Sequence, residues 1–184
     1  MRLKTKSSEI PSGHDVGVYV HNECVNWLKQ LREEIKVSMR ARMLAKGYRP
    51  GQAAPGSISM TADGWSADNT KAAFLGVTAH WIEVKEKKWN LRSEVVAFQG
   101  ISGTHDGDNL GRYFWGLCER VGICSQNRTK VGVLMTHLIL ISRLVQLHAV
   151  TLDNASNNGK MCQMVQRLHQ TQGLDWNAGQ NQLM

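Results

Sequence analysis

The sequence predicts an α/β fold: three strands, a helix, a strand and a helix, in that order, behind an N-terminal helix. Three observations carry this. Apolar residues recur at helical steps up to a Pro/Gly-rich stretch at 47–57. Beyond it the pattern switches to strand-like alternation. From residue 102 onward helical and strand-like runs take turns. At 184 residues, 42% apolar and 20% charged, the chain can bury one core of its own and has a globular composition.

Taken in order, Cys24, Leu28, Leu31, Ile35 and Met39 mark an amphipathic helix over 22–46, with Gly47 where a helix should stop. "GYRPGQAAPGS" follows as a linker, dividing the chain into an N-terminal helical segment with its linker (1–56) and a second region (57–184). "SISMTADGW" (57–65) reads as a first strand closing in an Asp-Gly turn. "AAFLGVTAHWI" (72–82) is a second strand, with Leu75, Val77, Ala79 and Trp81 on one face. The charged "EVKEKK" connects it to a third, "WNLRSEVVAFQGI" (89–101). Short connections imply an antiparallel meander. Within 102–123, Leu110, Phe114, Leu117, Cys118 and Val121 form a helical stripe that Asp106 or Asp108 can cap. The strand in "LHAVTLD" comes next. A last helix spans 156–170, its Met161, Met164, Val165 and Leu168 facing a core. A strand that returns after a helix lies parallel to its neighbour. The order βββαβα is the first part of the RNase H-like fold, in which the fourth strand lies beside the first.

The formal charge of +7 favours a polyanionic partner, although the basic residues are spread along the chain rather than gathered. Cys24, Cys118, Cys124 and Cys162 form no C-x-x-C pair and no zinc-finger spacing, which excludes a structural zinc site and leaves reduced thiols as the expectation. No apolar segment follows the basic start, so no signal peptide is expected. The most apolar run, Val131–Val150, is broken by His137, Arg143, Gln146 and His148 and does not read as a membrane span.

If the first and fourth strands are neighbours, Asp63 and Asp153 meet at their ends although 90 positions separate them (153 − 63). Two such carboxylates suit a hard divalent cation, Mg²⁺ or Mn²⁺, which takes oxygen ligands and keeps several waters. The alternative for each is local. Asp63-Gly64 is a turn dipeptide, and Asp153, Asn154 or Ser156 can cap the helix behind them.

The motifs "TADGW", "LGVTAHWI", "W-x-LRS", "SGTHDGDN" and "TLDNASNN" occur here in one order, from about Ile10 to the end of the chain. In this the sequence resembles the catalytic domain of the hAT superfamily of DNA transposases, the Activator-like elements. The resemblance implies that Asp63 and Asp153 are the first two acids of a DDE triad holding Mg²⁺ or Mn²⁺. It also implies DNA at transposon ends as substrate, a homo-oligomer in the intact family member, the nucleus as location, and no membrane. Trp65 matches an aromatic position that can stack on a base, the alternative being a half-buried core tryptophan. His105 matches a recurring position that can contact phosphate or cap the following helix.

The family pattern also includes a zinc finger ahead of this region, then a helical insertion and a glutamate after it, none of which is found in this sequence. The third acid is therefore absent, and the expectation is a transposase fragment without activity, or a transposase-derived module that binds DNA or protein without catalysis. A second departure is "VGVLMTHLILISRLVQ" (131–146), wedged where the family passes directly into the fourth strand. Its alternatives are an extra strand or buried helix, and the preferred reading is a retained intron translated in frame. Every Val codon begins with GT, Gln146 can be encoded by CAG, and Val, Leu, Ile and Met codons all carry U in the middle.

Overall fold

The computed structural model describes residues 10–45, 56–67, 69–70, 72–86, 88–124, 145–153 and 155–183. The first helix, α1 (Gly13–Ala45), starts nine residues ahead of the expected 22. Its start is fixed by a reciprocal cap. The Asp15 amide donates to the Ser12 hydroxyl (3.2 Å), and the Asp15 carboxylate accepts from the Ser12 hydroxyl (2.6 Å) and amide (2.9 Å). The Ser12 hydroxyl, and then its amide, hold the Asp15 carboxyl below its ordinary value. Hydrophobic periodicity does not register this first part because residues 13–24 are all exposed; burial begins with Leu31 and Ile35. Cys24, expected on the packed stripe, is exposed. Gly47 and nearly all of the linker lie outside the described residues.

The sheet is built from an antiparallel meander, β1 (Gly56–Ser66), β2 (Ala73–Lys85) and β3 (Lys88–Ile101). Asp63 and Gly64 are not a turn: they lie inside β1, opposite Gly76 and Leu75. The strand runs on through Trp65 and Ser66 because these pair with Phe74 and Ala73, so ladder bonds override the turn preference of the dipeptide. Helix α2 (Gly107–Arg120) follows, and then β4 (Val145–Thr151), which pairs in parallel with β1. Val145 and Gln146, assigned from sequence to the insertion, open β4 opposite Gly56 and Ser57. The rest of the expected insertion lies outside the described residues.

Helix α3 (Asn158–Thr171) and a short α4 (Ala178–Asn181) lead to β5 (Gln182–Leu183), which the sequence reading did not anticipate. The Asn177 side chain accepts from the Gly179 amide and starts α4. Asn181 then donates to the His148 carbonyl at 2.7 Å, and the Leu152 amide to Leu183, which draws β5 parallel against β4. The sheet order is β3-β2-β1-β4-β5, a mixed α/β architecture.

One sheet face is buried and the other is not. Ile58, Met60 and Ala62 of β1 and Leu75, Val77, Ala79 and Trp81 of β2 enter one core with residues of all three long helices, among them Leu31, Ile35, Phe114, Leu117, Met161 and Val165. Their strand alternates, Ser59, Thr61, Asp63 and Trp65 with Phe74, Gly76, Thr78, His80 and Ile82, remain half-buried or exposed. A bulge where β3 faces Val77 and Thr78 turns both Val96 and Ala97 inward. Among the described residues, no helix is long and apolar enough to cross a membrane.

Candidate functional site

The parallel pairing of β1 with β4 ends at Thr61 opposite Thr151. Asp63 and Asp153 each lie two residues further on, at the same end of two adjacent strands, and both are exposed. β4, three strands after β1 in sequence order, is its parallel neighbour and so sets at one sheet end two residues that the chain keeps far apart.

Their local surroundings differ. One Asp153 carboxylate oxygen accepts from the Ala155 amide (3.1 Å) and from the Asn158 side-chain amide (2.5 Å), and Asn158 also donates to the Asp153 carbonyl (2.9 Å). Asp153 therefore ties the end of β4 to the first residue of α3. The residue in the cap position, Asn157, makes no side-chain cap bond and donates instead to the His105 carbonyl at 2.9 Å. Asp63 makes no side-chain hydrogen bond among the described residues. Its neighbour on the same face, Thr61, is joined across the sheet to the His80 imidazole at 2.9 Å.

Trp65 is neither a lone stacking platform nor a core residue. It is 42% exposed and rests on Phe98 (ring centroids 5.2 Å apart) and Phe74 (6.1 Å). Gly76, directly opposite Asp63, makes room for the indole: a β-carbon there would lie 3.1 Å from the Trp65 ring. Phe98, itself 63% exposed, and Phe74 complete an aromatic surface beside Asp63. These two phenylalanines were missed in the sequence. The signal was available, since both occupy the outward positions of alternating strands.

His105 is exposed, and it is its backbone carbonyl that the fold uses. The cap of α2 is Asp106, whose carboxylate accepts from the Asn109 amide at 2.8 Å and the Thr104 hydroxyl at 2.7 Å. These two bonds, the Asn109 amide first, hold its carboxyl below the ordinary value. Asn109 in turn donates to the Ser102 and Thr104 carbonyls, so the loop carrying His105 is fastened at both ends.

A hydrated divalent cation takes carboxylate oxygens and completes its shell with water or substrate oxygens, and Asp63 and Asp153 are the acids at this sheet end. Among the described residues, no group of three or more His, Cys, Asp or Glu side chains is arranged to hold a metal. Compared with known proteins, the chain matches no family model and no curated sequence.

Proposed function

We propose that this chain carries part of the RNase H-like catalytic domain of a hAT-type DNA transposase, and that its 184 residues do not cleave DNA by themselves. The observation that carries the reading is the pairing of β1 with β4, which sets Asp63 and Asp153 the same two residues beyond the last paired positions. The sheet order β3-β2-β1-β4-β5 and the sequence motifs around both aspartates support it. In this reading Asp63 and Asp153 hold Mg²⁺ or Mn²⁺, which supplies charge neutralisation and an activated water for phosphodiester hydrolysis. The aromatic surface of Trp65, Phe74 and Phe98 takes a base of the DNA by stacking, and so orients the strand beside the carboxylates. A chromosomal DNA substrate places the protein in the nucleus.

Cleavage also calls for a third carboxylate to bridge the metal ions, and these residues supply two. A second reading, a transposase-derived module that binds DNA without cutting it, is favoured by the same aromatic surface, which stacks on bases whether or not a metal is held.

The test is a thermal melt titrated with Mn²⁺. A ligand at ten times its Kd stabilises the folded state by about 1.4 kcal/mol, enough to move the midpoint by roughly 3–6 °C in a chain of this size. The expected result is a rise for the wild type and none for Asp63→Asn, whose side chain makes no hydrogen bond to lose among the described residues. A wild-type midpoint indifferent to Mn²⁺, or an equal rise in Asp63→Asn, overturns the metal site. Incubation with DNA and Mn²⁺ should yield no cleavage product.

A further inference from the structure

We infer that the cleft between the β3 edge and α2 is a binding groove for the sugar-phosphate backbone of a single nucleic-acid strand, with Arg112 and Arg120 holding the phosphates. The cleft has a volume of about 480 Å³ and is lined by Gln99, Asn109, Arg112, Tyr113, Gly116, Leu117 and Arg120. Arg112, Gly116 and Arg120 succeed one another at four-residue steps, so they share one face of the helix. Gly116 keeps the space between the arginines clear: a β-carbon there would meet nothing within 4 Å.

The two arginines are exposed and uncommitted, whereas Arg32, which is also without an ion pair among the described residues, has its Nε buried beside Gly122. Arg92 is held by Glu34, Glu83 and Glu94, and Arg167 faces Asp108 at 3.9 Å. Arg112 and Arg120 make no ion pair among the described residues, and no carboxylate lines the cleft. Asp106 senses Arg112 only as a minor, longer-range charge. A guanidinium exposed in this way is a ready bidentate partner for phosphate.

The neutral lining residues narrow the ligand. The side-chain amides of Gln99 and Asn109 already donate to the carbonyls of Gly100, Ser102 and Thr104. Both N–H groups of the Asn109 amide are thereby committed, so attraction for an anion falls to the two arginines, the second N–H of Gln99, and Tyr113, whose hydroxyl accepts from the Ser102 amide and keeps its own proton to donate. Eight residues of helix separate the arginines by about 12 Å, more than the rise of about 3.4 Å for one nucleotide step, so they face different phosphates of a strand. A chain of phosphates engages both at once.

A single strand is favoured over a duplex by what lies across the edge. Gln99 faces the groove while its neighbour Phe98, on the opposite face of β3, is 63% exposed beside Trp65. A backbone in the groove can turn its bases over this edge onto the aromatic rings. That the groove leads toward Asp63 rests on the function proposed above; the groove itself does not.

The test is fluorescence anisotropy of the full chain with a labelled single-stranded oligonucleotide, in EDTA so that no metal contributes. Relative to wild type, Arg112→Glu with Arg120→Glu should weaken binding about tenfold or more and lower the slope of log K against log salt by roughly 1.4. Arg112→Gln with Arg120→Gln should act in the same direction, and a melt of each variant confirms folding. The control pair Lys29→Glu with Arg167→Glu, equal in charge change but outside the cleft, should change affinity less than about threefold. Because EDTA removes any metal from the assay, a failed metal site leaves this result intact. Equal losses in the control pair, absence of wild-type binding, tighter binding of the matching duplex, or displacement of the strand by stoichiometric inorganic phosphate each overturns the assignment.

Discussion

Gly111→Ala and Gly116→Ala, two identical substitutions five residues apart in α2, should change stability in opposite directions. In a helix interior alanine is favoured over glycine by about 1 kcal/mol, so propensity alone stabilises both variants. At Gly116 nothing lies within 4 Å of the added methyl, and that gain should appear undiminished. At Gly111 the methyl would lie 2.7 Å from the Met164 β-carbon and 2.8 Å from the Met161 carbonyl oxygen of α3. Carbon contacts are comfortable at about 3.5–4.0 Å, and neither neighbour is the free end of a side chain that could swing aside. Overpacking of this kind costs about 1–3 kcal/mol. With both contacts to rigid atoms the upper part of that range applies, which leaves Gly111→Ala about 2 kcal/mol less stable than wild type after the propensity gain is counted. Urea unfolding followed by far-ultraviolet circular dichroism reads both values. The thermal midpoints should shift by roughly 4–8 °C downward for Gly111→Ala and roughly 2–4 °C upward for Gly116→Ala. If Gly111→Ala proves as stabilising as Gly116→Ala, α2 and α3 do not approach each other as described and the account of the core fails with it.

Three further expectations follow from local geometry. Asp106→Ala should lower the melting temperature at neutral pH, because the carboxylate caps α2. Since folding depresses that carboxyl, its contribution is full above the unfolded value near 3.9 and is lost as pH falls through the lower folded value. The gap between wild type and variant should therefore close below about pH 4 in a series of acid melts. A thiol reagent at mildly alkaline pH should label Cys24 quickly in the native protein and the other three cysteines only on unfolding. Cys118, Cys124 and Cys162 are buried, and burial pushes the Cys162 thiol up to about 11 and the Cys124 thiol well above its ordinary value. Glu86→Asn should raise the unfolding free energy by about 0.5–1 kcal/mol, because Glu86 sits at φ 49° in the β2–β3 turn, a left-handed conformation that asparagine tolerates better.

The elements that were legible in the sequence are those whose burial follows a period. Strands β2 and β3 and helix α3 came through to within three residues at each end, and α2 lies inside the 102–123 expected to contain it, because one face of each is packed and the other is not. Residues 13–21 of α1 were not legible, since residues 13–24 are all exposed and only the Ser12–Asp15 cap announces them. The Asp-Gly dipeptide of β1 misled in the other direction: a local turn preference of this size yields to the cross-strand pairs at Trp65 and Ser66. Strand β5 is two residues long and is held by Asn181 and Leu183 bonds to distant backbone, which no periodicity reports. The arginine groove was invisible for a related reason. Arg112 and Arg120 look like ordinary solvated helix positions until Arg92 and Arg167 are seen to be paired while these two line a cleft unpaired among the described residues.

The two aspartates now carry unequal weight. Asp153 has a structural occupation that needs no metal, since its carboxylate and carbonyl both bind Asn158 and so fix where α3 begins. The asparagines that follow are similarly employed, Asn157 on His105 and Asn158 on Asp153. An acid in that run would be kept by the fold even in a protein that bound nothing. Asp63 has no such occupation among the described residues. It stands exposed on a strand, where aspartate is disfavoured, opposite a glycine that accommodates Trp65 rather than itself. Neither packing nor hydrogen bonding accounts for a carboxylate there, and a valine or threonine would suit the strand better. The functional reading therefore rests on Asp63, and the two readings of the site separate at this residue. If Asp63→Thr stabilises the chain in EDTA by a few tenths of a kcal/mol and abolishes the response to Mn²⁺, the acid is retained for a ligand at the expense of the fold. If it destabilises the chain in EDTA, the acid serves the fold itself, and the argument from β1 to a metal fails.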